Sequence, residues 1–172
     1  NDGRIDIKDR ISLGSAAPDY FGGFYTNFRY RHFALSAEFA YSKGNKAYNA
    51  VRRTLESASS FSNQSVAVSN RWSVEGQVTD MPRATFGDAI GNNNFSSRWI
   101  EDASYLRLKN VEVAYLFKFR EKSPVQNLRL YVNGQNLCTW TKMSYFDPEI
   151  ADSNGNAYPM MRVFNMGINI QF

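Results

Sequence analysis

Two acidic pairs are the first places where this sequence offers chemistry. Glu101-Asp102 and Asp147/Glu149 are spaced like carboxylates that could share acid–base work. Such work also needs a nucleophile, a base or an orienting group. None accompanies either pair, so both read as hydrogen-bonding loop residues, and an enzyme is not expected. A second cluster opens the chain as Asn1-Asp2-Gly3-Arg4-Ile5-Asp6-Ile7-Lys8-Asp9. This order matches the later part of a calcium loop, with Gly3 at the turn and Asp2, the Arg4 carbonyl, Asp6 and Asp9 as oxygen ligands. The plainer reading is an Asp/Gly turn. Calcium is the cofactor the pattern suggests, and its acidic positions would begin before residue 1. Cys138 and His32 are the sole cysteine and histidine, which leaves no zinc set and no internal disulfide. Arg71, Trp72, Trp99 and Tyr145 carry flat faces suited to stacking on sugar rings. The alternative for them is packing within ordered loops or against a partner protein.

Composition narrows the setting. The 172 residues are 43% hydrophobic, yet 13 are Phe and 10 are Tyr, and mean hydropathy is −0.47. A soluble core draws more on Leu, Ile and Val, whereas a barrel in lipid places aromatics at both membrane interfaces. No run approaches the roughly 18 apolar residues of a spanning helix. The net charge of +4 comes from scattered basic residues such as Arg52, Arg53, Arg71, Arg83, Arg98, Lys118 and Lys122. They form no basic stretch, so nucleic acid is not an expected partner.

The elements that position these residues are strands. Five segments alternate apolar and polar residues, at about 23–30, 33–42, 105–119, 127–140 and 160–172. In the second, Phe33, Leu35, Ala37, Phe39 and Tyr41 share one face, and Glu38 lies on the other. A buried Glu is costly in a soluble core but ordinary in a wet lumen. Tyr25, Asn27, Arg29, Glu38, Arg129, Tyr131 and Gln135 are the lumen-facing candidates. In the third segment the phase changes, because Leu106 and Leu108 sit on the opposite register from Val111 and Val113. A bulge near Lys109-Asn110, or a strand leaving the lipid there, accounts for the change. Connections after the first and third segments are short. Those at about 43–104 and 141–159 are long, and the first is long enough to need structure of its own. Asn49 is placed to cap a helix running to Ser57, and a second short helix after Ser62 would hold Val66 and Val68.

Short turns at one end and long loops at the other is the pattern of an outer-membrane barrel with its short side periplasmic. The expected fold is all-β, an antiparallel transmembrane β-barrel whose long extracellular loops contain short helices. Five strands cannot close a barrel, and an open edge in lipid is costly. The chain therefore reads as one part of a larger barrel. The competing reading is a soluble β-sandwich carbohydrate-binding module, with one face buried and one hydrated.

Several blocks carry a family resemblance. They are Pro18-Asp19-Tyr20-Phe21-Gly22-Gly23-Phe24, Met81-Pro82-Arg83, Arg98 through Val111, Tyr131-Val132-Asn133-Gly134-Gln135-Asn136-Leu137, Tyr145-Phe146-Asp147-Pro148-Glu149, and the closing segment with Arg162, Phe164 and Gly167. In this order and spacing the chain resembles the C-terminal end of the SusC/RagA family of TonB-dependent transporters. The resemblance implies an outer-membrane importer of oligosaccharides or peptides, with an N-terminal plug inside a 22-stranded barrel. It also implies a SusD-like lipoprotein over the mouth and TonB contact through an N-terminal part. Neither plug nor TonB-contacting segment lies in these residues. The stripe Phe164, Met166, Ile168, Ile170 and Phe172 resembles the aromatic-ended strand recognised during barrel assembly, for which strand addition is the physical mechanism. Its plainer reading is a lipid-facing strand, with its end in the periplasm.

Overall fold

The computed structural model describes residues 7–120, 123–150 and 158–172. Its main element is one antiparallel sheet. β1 (Tyr20–Tyr30), β2 (Phe33–Lys43), β5 (Tyr105–Lys118), β6 (Asn127–Thr141) and β7 (Val163–Gln171) are hydrogen-bonded in that order. Between β2 and β5 lie β3 (Lys46–Tyr48), α1 (Ala50–Glu56) and β4 (Ile100–Asp102). Every main-sheet neighbour is also the next spanning strand in sequence, as in an up-and-down meander. The described residues form an open sheet with β1 and β7 at its edges, and no closed barrel.

Alternating apolar and β-branched or aromatic residues suit a pleated surface, which is why the long strands form where periodicity expects them. Their bounds differ in instructive ways. β1 starts at Tyr20 rather than near Gly23, because Gly22 and Gly23 continue the ladder opposite Tyr41 and Ala40. A Cβ on Gly23 would stand 2.8 Å from the Phe39 carbonyl oxygen, so glycine here permits pairing instead of ending it. β7 starts at Val163 rather than at 160. Pairing ends at Gln135–Val163, and the next β6 residue, Asn136, has φ 52°. Its side-chain Nδ2 donates to the Met161 carbonyl at 3.2 Å, taking an acceptor that the ladder would otherwise use. β2 and β6 each run one residue beyond the expected end, and β5 stops one short of Phe119.

The phase change in β5 is a bulge. Glu38 pairs with Asn110 and Phe39 with Leu108, so Lys109 is the extra residue. The same step appears against β6, where Asn110 meets Gln135 and Leu108 meets Cys138. The bulge keeps Leu106 and Leu108 on the face that carries Val111 and Val113.

Within the long loop, Asn49 caps α1 by accepting from the Arg52 amide at 2.8 Å. The expected second helix is a 3₁₀ turn, Val66–Asn70, capped by Ser65. Val68 is buried there, but Val66 points outward. β3 and β4 are too short for a periodic signal and pair across the base of the loop. Beside them lies a small buried cluster of Ala47, Ala103 and Met143. Among the described residues no second layer covers the sheet, and Phe28, Val132, Met166 and Ile168 are all more than half exposed. A β-sandwich would bury that face.

Candidate functional site

Residues directly opposite each other in an antiparallel ladder point to the same side, so the pairing assigns two faces. Tyr25 pairs with Glu38, Asn27 with Ser36 and Arg29 with Ala34. Glu38 pairs with Asn110 and Asn110 with Gln135, while Tyr131 pairs with Ala114 and Arg129 with Leu116. All seven lumen-facing candidates therefore fall on one side of the sheet. That side is knitted by polar contacts. Arg129 is ion-paired with Glu112 and lies over the Tyr131 ring at 5.0 Å, and Asn133 donates to Asn110 at 2.5 Å.

The opposite side is apolar from edge to edge. One row reads Phe28, Leu35, Val113, Val132 and Met166, and another reads Phe24, Phe39, Leu108 and Cys138. Phe24 and Phe39 stack at 4.6 Å. From Phe33 to Tyr41 the apolar face extends about 26 Å along the strand at about 3.3 Å per residue. Tilted by about 40°, it spans about 20 Å, close to the apolar band of about 25 Å in membrane barrels. Phe164, Met166, Ile168 and Ile170 complete this face on β7, and all four are exposed, as is Phe172.

At the long-loop end, two charged networks hold the loops to the sheet. Glu101 is the centre of one. It accepts from Asn49 Nδ2 at 3.0 Å, Arg52 Nη1 at 2.9 Å, and the Ser144 amide and hydroxyl at 2.8 and 2.7 Å. Burial alone would push its carboxyl up, but these four donors outweigh burial and hold it below the ordinary carboxylate value. Burial also works against the Arg52 guanidinium, and Glu56 and Glu101 more than offset it. Arg98 lies 4.0 Å from Glu56, and burial dominates there and lowers its pKa. In the second network Arg107, 1% exposed, donates to Asp147 at 2.6 Å and lies 3.4 Å from Glu149, which also meets Lys109 at 3.4 Å. Both acidic pairs of the sequence are thus occupied by partners. Neither offers a free acid and base across an open site.

The four proposed stacking residues separate. Trp99 is fully buried, with the Arg98 guanidinium 4.4 Å over its ring, so it presents no face to a sugar. It is a packing residue, because the 3₁₀ turn Ser97–Trp99 drives it under the loop. Tyr145 is half-exposed, but its hydroxyl is held by Glu56 Oε1 at 3.0 Å and Ser65 Oγ at 2.7 Å. Arg71 and Trp72 lie in a different stretch, where the Trp72 amide donates to the Met81 carbonyl. Met81 Sδ is in turn touched by Arg98. Of the calcium candidates, Asp2, Arg4 and Asp6 lie outside the described residues, and Asp9 ends a 3₁₀ turn. Among the described residues no group of three or more His, Cys, Asp or Glu is gathered for a metal. Sequence reasoning missed Arg107 and Glu56, both deeply buried, and of Asn49 it found the cap but not the Nδ2 contacts to Glu101 and the Ser144 carbonyl. The signal for Arg107 was the Lys109 phase change, which turns it inward.

Comparison with known proteins reaches the same sheet. No family model matches the chain. TonB-dependent receptor P3 of Formosa agariphila is 35% identical over 99% of the chain. TonB-dependent receptor SusC of Bacteroides thetaiotaomicron is 26% identical over 99% of it. The solved RagAB peptide importer in its closed-closed state superposes on 99% of the chain with a TM-score of 0.79 at 28% identity. The open-open state superposes on 92% with a TM-score of 0.76 at 30% identity. The chain is a relative of the SusC/RagA TonB-dependent transporters. It spans under a fifth of the length of the curated relatives, 18% of P3 and 17% of SusC. The SusC/RagA relatives carry the names of receptors and importers, not of enzymes.

Proposed function

We propose that this chain forms C-terminal wall strands of a TonB-dependent importer in the outer membrane. One observation carries the reading. A single sheet has a continuous, exposed apolar face on one side and a hydrogen-bonded polar face on the other. The relatives named above support it. In the whole protein, upstream strands pair with the free edges of β1 and β7 and close a barrel of about 22 strands around a plug. Tyr25, Asn27, Arg29, Glu38, Arg129, Tyr131 and Gln135 then line the lumen.

The Arg31-His32 turn and the short β5–β6 connection face the periplasm, as does the Phe172 end of β7. The long loops face outward. There a SusD-like lipoprotein docks, and exposed Phe61 and Phe86, whose rings meet at 5.0 Å, are the apolar anchor. TonB contacts the N-terminal part, and the cargo is an oligosaccharide or a peptide. The stripe from Phe164 to Phe172 serves as the assembly signal. A soluble carbohydrate-binding sandwich is the weaker reading, because it leaves the apolar face uncovered.

The test is fractionation of cells making the full-length receptor, with uptake of labelled glycan and peptide pools. Detergent-dependent recovery from the outer membrane and TonB-dependent uptake are expected. A monodisperse protein that stays in the soluble fraction without detergent overturns the proposal.

A further inference from the structure

The apolar face changes character at its long-loop end. Gly22, Tyr41, Leu106 and Trp140 form one register row across four strands, and the next row pairs Tyr20 with Lys43. Below them lies the wholly apolar row of Phe24, Phe39, Leu108 and Cys138. The rim is therefore graded, with hydrocarbon-like residues below, polar-tipped aromatics next and cations on top. Set into this rim is a cavity of about 510 Å³ lined by Tyr20, Tyr41, Lys43, Leu106, Trp140 and Lys142.

Its walls are fixed. The Tyr20 and Tyr41 rings meet edge-on at 6.3 Å, Thr141 Oγ1 donates to the Ser104 carbonyl at 2.9 Å, and the Gly44 amide donates to Ser104 Oγ at 3.0 Å. Asp102 also borders the cavity. Its Oδ1 is taken by the Ser104 amide and hydroxyl at 3.1 and 2.5 Å. Among the described residues neither Lys43 nor Lys142 lies within 4.0 Å of a carboxylate oxygen. The Ser104 hydrogen bonds above all, and then the Lys46 and Lys43 charges, hold the Asp102 carboxyl below its ordinary value, so Lys43 is partly offset and Lys142 is the less compensated cation. Two ammonium groups above a mostly apolar hollow, on the face that continues into the hydrophobic band, complement an anionic amphiphile.

We propose that this rim cavity binds one membrane lipid bearing a phosphate headgroup, with Lys43 and Lys142 on the phosphate and Tyr20, Tyr41, Leu106 and Trp140 against the upper acyl chains. The inference rests on the membrane-barrel reading. Its ligand is the surrounding lipid rather than the transported cargo, and Tyr20, Tyr41, Leu106 and Trp140 set the site at the rim of the apolar face.

The test uses the full-length receptor reconstituted in nanodiscs that mix phosphatidylglycerol and phosphatidylcholine, with retained lipid counted by native mass spectrometry. Phosphatidylglycerol is expected to be enriched, and the double substitution Lys43→Gln/Lys142→Gln to reduce its retention about thirtyfold, given the cost of removing two surface cations. Lys118→Gln, at the opposite end of β5, removes one charge and is expected to change nothing. Equal retention of both lipids, or no effect of the double substitution, overturns the inference. So does complete displacement by inorganic phosphate, which would mark an anion site indifferent to chains. Failure of the receptor to enter membranes at all is a separate result, and it overturns the barrel reading itself.

Discussion

Tyr131 stands directly across the β6–β7 ladder from Gly167, with its ring over the glycine Cα. A Cβ built on Gly167 would overlap the ring at Cζ and the hydroxyl oxygen. The pair acts as a plug and socket on the polar face, where an aromatic ring covers a glycine that leaves backbone exposed. Arg129, beside Tyr131 on the same strand face, lies over this ring, 5.0 Å from its centroid. Gly167→Val should therefore expel the ring and destabilise the β6–β7 pair by about 1–3 kcal/mol. The readout is the heating temperature at which the full-length receptor loses its folded mobility in detergent gels. Tyr131→Ala/Gly167→Val should recover part of the loss, and no recovery would mean that the ring is not the obstacle.

The two faces can be told apart by matched substitutions on one strand. Met166 lies in the central apolar row, and its neighbour Asn165 lies opposite Asn133 on the polar side. An arginine at a lipid-facing midplane position costs about 2–4 kcal/mol. Met166→Arg should lose that much in urea unfolding of the reconstituted receptor, and Asn165→Arg should lose far less. Equal losses would contradict the assignment of the faces.

Acid should loosen the loop before it touches the sheet. The Glu101 pKa is lowered in the folded state from its ordinary 4.5. Its contribution is fully present above that value and is lost as pH falls through the lowered folded value. Protection of α1 and β4 amides in hydrogen exchange, corrected for intrinsic rates, should drop in that window while β5 and β6 stay protected. Glu101→Gln should lower protection already at neutral pH and flatten the acid response. An unchanged acid response in this variant would assign the effect to other carboxylates.

The proposed loop anchor is testable through the proposed lipoprotein partner. Phe61→Ala/Phe86→Ala removes two rings that are exposed among the described residues of this chain. Affinity for the co-purified surface lipoprotein should fall at least about tenfold, the cost typical of a central aromatic anchor. Folded mobility in detergent gels should stay the same. Unaltered affinity would move the docking surface elsewhere on the loops.

Much of this was legible in the linear chain because a strand has a period of two. Once Phe33 through Tyr41 alternate with Ala34 through Ser42, the side-chain faces follow without knowing the neighbours. The short and long connections then order the strands into a meander. The phase break at Lys109 was visible for the same reason, and so was the capping role of Asn49, which acts only on residues three positions away. What tertiary structure alone decided depends on partners distant in sequence. Trp99 resembled a stacking platform until the turn beside it buried the ring under Arg98. Glu101 resembled half of an acid pair until Asn49, Arg52 and Ser144 converged on it from two loops. β3 and β4 are too short for a period to register and exist because each pairs with the other. The rim cavity joins ends of β1, β2, β5 and β6, and no local pattern specifies that Lys43 and Lys142 share it. Local periodicity determined which way each residue faces, because alternation is a property of the backbone. Only the assembled sheet decided which residues meet, because meeting depends on register between strands.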